Sequence, residues 1–297
     1  MAIKIIRASD PITVDRLNIC LYGPPGLGKT SAAFSADAPL LLDFDQGAHR
    51  AMGRKDTVPI KSWEDVASLT ADDLAPFRSV VLDTVGRALD MLATDIIKRD
   101  PKMGRGGALQ LQGYGRLKAE FAAFLKLLNS AGKDVILIAH MDEQRSGDET
   151  VERIDATGAS KNEIYKQADA MGRIVLRNNK RTLVFDPTEA AFGKNPGRLP
   201  PLDIPNPPGT FMGDTIARIK AELNALTEEQ RQAQKVIDDW RSVFAELETA
   251  DDFDTKAGEL SASHADDRIK ALLLSVAQSK GFIFDRKAKT FSQKAAA

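Results

Sequence analysis

The stretch LNICLYGPPGLGKTSAAF, residues 17–34, constrains this chain more than any other. An apolar run from Leu17 to Tyr22 leads directly into glycines at 23, 26 and 28 and then into Lys29 and Thr30. Such a run bounded by glycine predicts a buried strand, and Thr30 to Ala36 predicts the helix that follows. Glycine has no Cβ, so the connecting loop can turn tightly and aim successive amide groups at one point. In the spacing G-x-x-x-x-G-K-[ST] those amides wrap a polyphosphate, the lysine reaches its outer phosphates and the hydroxyl ligates Mg²⁺. The predicted contacts are Gly23, Pro24, Pro25, Gly26, Leu27, Gly28, Lys29, Thr30 and Ser31, with Thr30 as the metal ligand.

The rest of the chain supplies a setting for such a loop. Its 297 residues, 43% hydrophobic, suffice for one sizeable α/β core and a smaller appendage. Short apolar runs recur as PLLLDFD, SVVLDT, DVILIAH, GRIVLR and TLVFDP, alternating with helical patterns, which predicts a mostly parallel sheet flanked by helices. Val85, Ala88, Leu89, Leu92, Ile96 and Ile97 recur at helical spacing until Pro101; Leu117, Phe121, Phe124, Leu125 and Leu128 do likewise. Both stripes read as packing surfaces. Ser62-Trp63-Glu64-Asp65 resembles a capping box that opens a helix of about two turns. Six prolines between Pro196 and Pro208 mark a linker or a surface strap. The expected organisation is a core over residues 1–212, ending in a proline-rich segment at 193–212, and a small helical module over 213–297.

Charge and cysteine content narrow the function classes. A net charge of −1 gives no global positive field, so any contact with nucleic acid must come from local patches. One cysteine, Cys20, excludes an internal disulfide and argues for a reducing compartment. MAIKIIRASD has no long apolar segment, and the expectation is a soluble cytoplasmic protein.

A phosphate loop also needs a carboxylate at a neighbouring strand end to hold the metal's water shell. SVVLD places Asp83 there. Water positioning near the last phosphate falls to Asp43 or Asp45 at the end of PLLLDFD, with Asp45 further out along the strand. His140, ending DVILIAH, sits where a polar group can sense the terminal phosphate. His49 and His264 lie in polar surroundings and carry no signal.

The order of these features resembles the RecA-like recombinase core. GPPGLGKT, LLLDFDQGAHR, VVLDTVGRALD, LIAHMDEQ and FGKNPG are similar to motifs of phage-encoded RecA-like ATPases of the single-strand annealing and recombination group. The resemblance spans about Asn18 to Pro200. It implies an α/β, RecA-like P-loop core that binds ATP and Mg²⁺ through Lys29 and Thr30, with Asp83 supporting the metal. Asp45 stands where these recombinases carry a catalytic glutamate, and His140 stands at the polar sensor position. The chain departs from the pattern at both places, with Asp for Glu and His for Gln.

The resemblance further implies that the two loops after the third and fourth strands face DNA. The first is KRDPKMGRGGALQLQGYGRLK, with Lys98, Arg99, Lys102, Arg105, Arg116 and Lys118 against Asp100, and with Tyr114 as a base-stacking ring. The second, MDEQRSGDETVERIDATG, carries six acids against two arginines, which opposes a phosphate contact. Residues 177–181 read as a hairpin tip. Recombinase-like ATPases hold nucleotide between neighbouring subunits, so Arg181 or Lys194 is a candidate to reach a neighbour's γ-phosphate in a homo-oligomer, filament or ring. No long oligomerisation segment precedes the first strand in this sequence. In SKGFIFDRKAKTFSQK, Phe282, Phe284 and Phe291 alternate with Lys280, Arg286, Lys287, Lys289 and Lys294. That tail reads either as a docking element, including one for a single-strand binding protein, or as a hairpin packed on its own helices.

The resulting expectation is an ATP-binding, single-stranded-DNA-binding protein of phage recombination or strand annealing. Two alternatives stay open: a motor or remodelling ATPase of phage DNA replication or packaging, and a nucleotide-gated binding module with little turnover. A small-molecule kinase fits less well, because no arginine-rich lid follows the third strand's helix.

Overall fold

The computed structural model describes residues 12–146, 149–156, 160–225, 228–263, 266–285 and 288–293. The readings made on MAIKIIRASD, His264, Arg286, Lys287 and Lys294 lie outside the described residues.

The first strands and helices of the core are β1 (Asn18–Gly23), α1 (Lys29–Ala33), β2 (Pro39–Asp43), β3 (Thr57–Pro59), α2 (Trp63–Ala67) and α3 (Ala71–Leu74). There follow β4 (Ser79–Asp83), α4 (Val85–Arg99), the short β5 (Gly104–Arg105) and β6 (Ala108–Leu109), and α5 (Leu111–Ser130). The core closes with β7 (Asp134–Ser146), β8 (Glu149–Asp155), α6 (Ser160–Gln167), β9 (Ala170–Arg177), β10 (Lys180–Val184), β11 (Leu202–Asp203) and α7 (Phe211–Leu223). One sheet runs in the order β11-β10-β9-β1-β7-β4-β2-β3, with β8 paired to β7. From β9 to β3 neighbouring strands are parallel; β10, β11 and β8 join antiparallel.

The near-continuous apolar strands follow from a sheet covered on both faces. Side chains alternate along a strand, so Leu40, Leu42, Val80, Leu82, Val135 and Leu137 go to one face. There they meet Leu89, Leu92 and Ile96 of α4 and Phe121, Phe124 and Leu125 of α5. Leu41, Val81, Ile136 and Ile138 face the other way, toward Ala32 and Ala33 of α1 and Met212, Ile216 and Ile219 of α7. The α/β, mostly parallel architecture is the expected one, and the Asp65 carboxylate accepts from the Ser62 amide as the capping box predicts.

One boundary differs from expectation. The core unit runs from Thr13 to Asn224, so α7 belongs to it and not to a module starting at 213. Its buried stripe packs on the sheet, the Met212 amide donates to Ser35 Oγ, and Lys220 pairs with Asp134 at 2.7 Å. Between linker and strap the structure has a strap: β11 pairs with β10, and Leu199 and Ile204 enter the core.

The second unit comprises α8 (Glu228–Ala245), α9 (Ala250–Ala262), α10 (Asp267–Ser279) and a hairpin of β12 (Phe282–Asp285) and β13 (Thr290–Gln293). Phe253 lies 5.3 Å from Phe282 and 5.5 Å from Phe291, ring centre to ring centre. Phe284 packs against Phe291 with ring centres 4.8 Å apart and planes tilted by 50°, and Lys280 Nζ donates to the carbonyls of Ala245 and Leu247 at the end of α8. Phe282 and Phe291 therefore belong to this unit's own core with Phe284 packed against it, and one of the tail's cations closes a helix end.

Candidate nucleotide site

Parallel register brings the chemistry to one edge of the sheet. Gly23 stands opposite His140, Asp43 opposite Asp83, and Asp83 opposite Ile138, so the ends of β1, β2, β4 and the parallel half of β7 line up. Crevices outside the carboxyl ends of such strands are where α/β proteins place ligands. A cavity of about 330 Å³ opens here, lined by Gly26, Gly28, Lys29, Thr30, Asp45 and Asp83 among others.

The loop's shape depends on its glycines. Gly26 and Gly28 adopt φ of 79° and 75°, the left-handed region where a side chain is strained. A Cβ on Gly23 would also run into the Ile174 carbonyl. The amides of Lys29, Thr30 and Ser31 form the first helical turn and have no intrahelical acceptor. Lys29 is 6% exposed, and its ammonium donates to the carbonyls of Gly23 and Pro24, both at 2.9 Å. Thr30 Oγ1 donates to Asp83 Oδ2 at 2.6 Å.

Burial pulls the Lys29 pKa down, against the opposing pull of Asp83 and Asp45. Burial likewise pushes the Asp83 carboxyl up; the Thr30 hydroxyl and Lys29 work against that rise, while Asp45 and Asp43 add to it. A buried cation and a buried anion, each short of countercharge, suit a triphosphate and a divalent cation. The residues fit both. Thr30 and Asp83 would hold Mg²⁺, which takes few protein ligands and completes its shell with water and phosphate oxygens. Among the described residues no group of three or more His, Cys, Asp and Glu side chains offers an alternative metal site.

Asp43 and Asp45 separate clearly. Both Asp43 oxygens are occupied, accepting from the Gly47 and Ala48 amides at 3.0 Å each, so it shapes the following turn. Asp45 lines the cavity, with His140 Nε2 at 3.5 Å, Arg87 Nε at 3.6 Å and Thr84 Oγ1 donating at 3.3 Å. His140 first, then Thr84 and Arg87, hold its carboxyl below the usual range despite burial. A carboxylate so held orients a water well and removes its proton poorly.

The structure sharpens several sequence readings, and Pro25 and Ser31 line the cavity with the glycines. Pro24 and Pro25 lack an N–H, so they shape the loop without donating to phosphate. Leu27 packs its side chain on the core, which leaves it a main-chain amide for a ligand, and the Ser31 hydroxyl, on the cavity wall, accepts from the Met52 amide at 2.9 Å. Lys194 is committed within its own chain, its ammonium donating to the carbonyls of Tyr165 and Ala168 where α6 ends. Arg181 follows the expected β9–β10 hairpin turn, but its guanidinium lies against its own Gly28 and donates to the Pro205 carbonyl at 3.2 Å.

The basic segment is also more ordered than a loop. Lys102 lies in a helical turn before a small hairpin that carries Arg105, whereas Tyr114, Arg116 and Lys118 are on α5. Arg99 pairs with Asp95 and Glu120, Arg116 with Glu120 and Lys98 with Glu64. The acidic second loop is a β-hairpin: β7 continues past His140 and pairs residue for residue with β8. Sequence reasoning missed Thr84, Arg87 and Arg50 at the site; for Thr84 and Arg87 their position just beyond the end of β4 was the available signal, whereas Arg50 lies seven residues past β2.

A family model described as an AAA domain matches residues 15–196. Among solved structures, the chain is similar to the KaiC-like protein of the hyperthermophilic archaeon Pyrococcus horikoshii OT3. The identity is 12% and the TM-score 0.34, over 57% of this chain and 77% of that one. No curated protein matches.

Proposed function

Since the chain belongs to the AAA domain family, a family of nucleotide-binding P-loop ATPases, we infer that it couples ATP to a grip on single-stranded DNA in homologous recombination or strand annealing. Phage origin and a homo-oligomeric working form belong to the same reading. One observation carries the DNA component. Lys102 and Arg105 are exposed beside Gly106 and Gly107, and neither makes an ion pair among the described residues, whereas their neighbours Lys98, Arg99 and Arg116 all do. Free cations on a compact turn suit a phosphate backbone, and the half-buried Tyr114 nearby offers a ring for stacking.

The residues divide the work of ATP handling. Loop amides and Lys29 hold the phosphates, Thr30 and Asp83 hold the metal, and Asp45 with His140 orients an attacking water. Bound Mg²⁺ neutralises phosphate charge. An Asp45 carboxylate held by His140, Arg87 and Thr84 favours slow turnover, so a nucleotide-gated switch is a second reading with its own support.

The test is single-strand binding by the full chain with ATP, with ADP and without nucleotide. Affinity is expected to change several-fold with nucleotide, and Lys29→Ala is expected to abolish that dependence while leaving basal binding. No affinity for single strands in any state would refute the DNA component. Protein- or duplex-stimulated turnover without single-strand affinity would point to a remodelling or motor ATPase.

A further inference from the structure

The loop places one ammonium, Lys29, against a ligand carrying several negative charges, while Asp45 and Asp83 face the same cavity. Beyond Lys29 and the metal that Thr30 and Asp83 would hold, a further positive group on the cavity wall would strengthen the hold on the outermost phosphate. Arg181 rests against Gly28 and donates to the Pro205 carbonyl of the strap without lining the cavity, and Arg87 stands at Asp45. Arg50 remains. Its side chain lines the cavity beside the loop and also an adjoining one of about 700 Å³, so it stands at the junction of the two. It makes no ion pair among the described residues.

The turn that carries it is pinned at both ends. At one end the Asp43 carboxylate takes the Gly47 and Ala48 amides. At the other, Ser31, two residues after Lys29 on α1, takes the Met52 amide at 2.9 Å. Between them the Arg50 amide donates to the Gly47 carbonyl at 3.0 Å. The guanidinium folds over Gly47, whose missing side chain leaves the room: the guanidinium carbon stands 3.3 Å from where a Cβ would sit.

We propose that Arg50 is a phosphate ligand supplied within the chain, which reads the terminal phosphate of a nucleoside triphosphate and so distinguishes it from the diphosphate. This rests on the nucleotide reading of the same cavity. Asp43, Gly47 and Ser31 act as positioning residues, and the Ser31 link ties the turn to the helix that begins at Lys29.

The experiment is equilibrium binding of fluorescent ADP and of a fluorescent non-hydrolysable ATP analogue, with Mg²⁺, to the full chain and to Arg50→Ala. The variant is expected to bind the triphosphate about tenfold more weakly and the diphosphate within about twofold of the parent. Retained diphosphate binding also shows that the variant folds. Gly47→Ala keeps every charge but pushes the guanidinium aside, and is expected to lose part of the same discrimination. An unchanged triphosphate-to-diphosphate ratio in Arg50→Ala, or an equal loss for both nucleotides, would overturn the assignment while leaving the nucleotide reading intact. Failure of the parent chain to bind either nucleotide would remove that reading and this one together.

Discussion

The nucleotide cavity and the basic segment at 98–118 are both rich in charge, yet they treat it in opposite ways. In the cavity, Lys29 and Asp83 are buried, and neither has the other as a direct partner: the lysine turns to two carbonyls and the aspartate to a hydroxyl. Along 98–118 the helical arginines Arg99 and Arg116 share Glu120 at 2.6 and 2.8 Å in partly exposed pairs. Buried charges without countercharge are costly, and their retention marks a site built for a charged ligand. Surface pairs contribute little and signal solvated helix faces. Charge in the sequence therefore says less about binding than the way the fold partners it.

The largest expected effect lies in the cavity. Asp45→Asn keeps the shape and removes the carboxylate's hold on water, so ATP turnover should fall about 100-fold, measured by phosphate release. ATP affinity should stay within about threefold. Turnover that survives the change would leave Asp45 without its role. Next comes the basic segment. Lys102→Ala combined with Arg105→Ala should weaken single-strand binding about tenfold at low salt and flatten its salt dependence by one to two charges. Arg99→Ala with Arg116→Ala, which removes cations already paired, should change it by no more than about twofold. Equal effects from the two double variants would erase the contrast between free and paired cations.

The smallest effect is a pH-dependent stability. Burial raises the Asp83 carboxyl above its unfolded value, so its neutral form favours folding. That contribution is present below the ordinary carboxylate range and is lost as pH rises through the folded value. Asp83→Asn mimics the neutral acid. Without nucleotide it should therefore melt about 2 °C higher than the parent at pH 7, with the gap closing toward pH 4. A gap that widens on acidification would contradict this sign.

How much of this was legible beforehand follows from where the information resides. The loop's spacing is local, and each core strand is buried on both faces, so LNICLY and DVILIAH are readable as apolar runs. Asp83 was found because strand, acid and helix adjoin in sequence. The β7–β8 hairpin was not, because its polar run gives no apolar alternation and its ladder of backbone bonds leaves no compositional trace. Tyr114 and Arg116 looked like loop residues because the glycines at 113 and 115 hide the start of α5; Gly113 is required where the helix passes close to the Met103 carbonyl. Lys194 looked exposed because nothing local shows that it caps α6. Asp43 carries a local turn signal in the sequence, an acid four and five residues before the two amides it accepts from.

Calorimetric titration of Mg²⁺ and ATP into the parent chain and into Lys29→Ala tests the central claim most directly. Micromolar-range binding by the parent and a loss of about 100-fold, ~2.7 kcal/mol, in the variant are predicted. Equal affinity in the two proteins would contradict the assignment of the loop at residues 23–31 as the phosphate cradle.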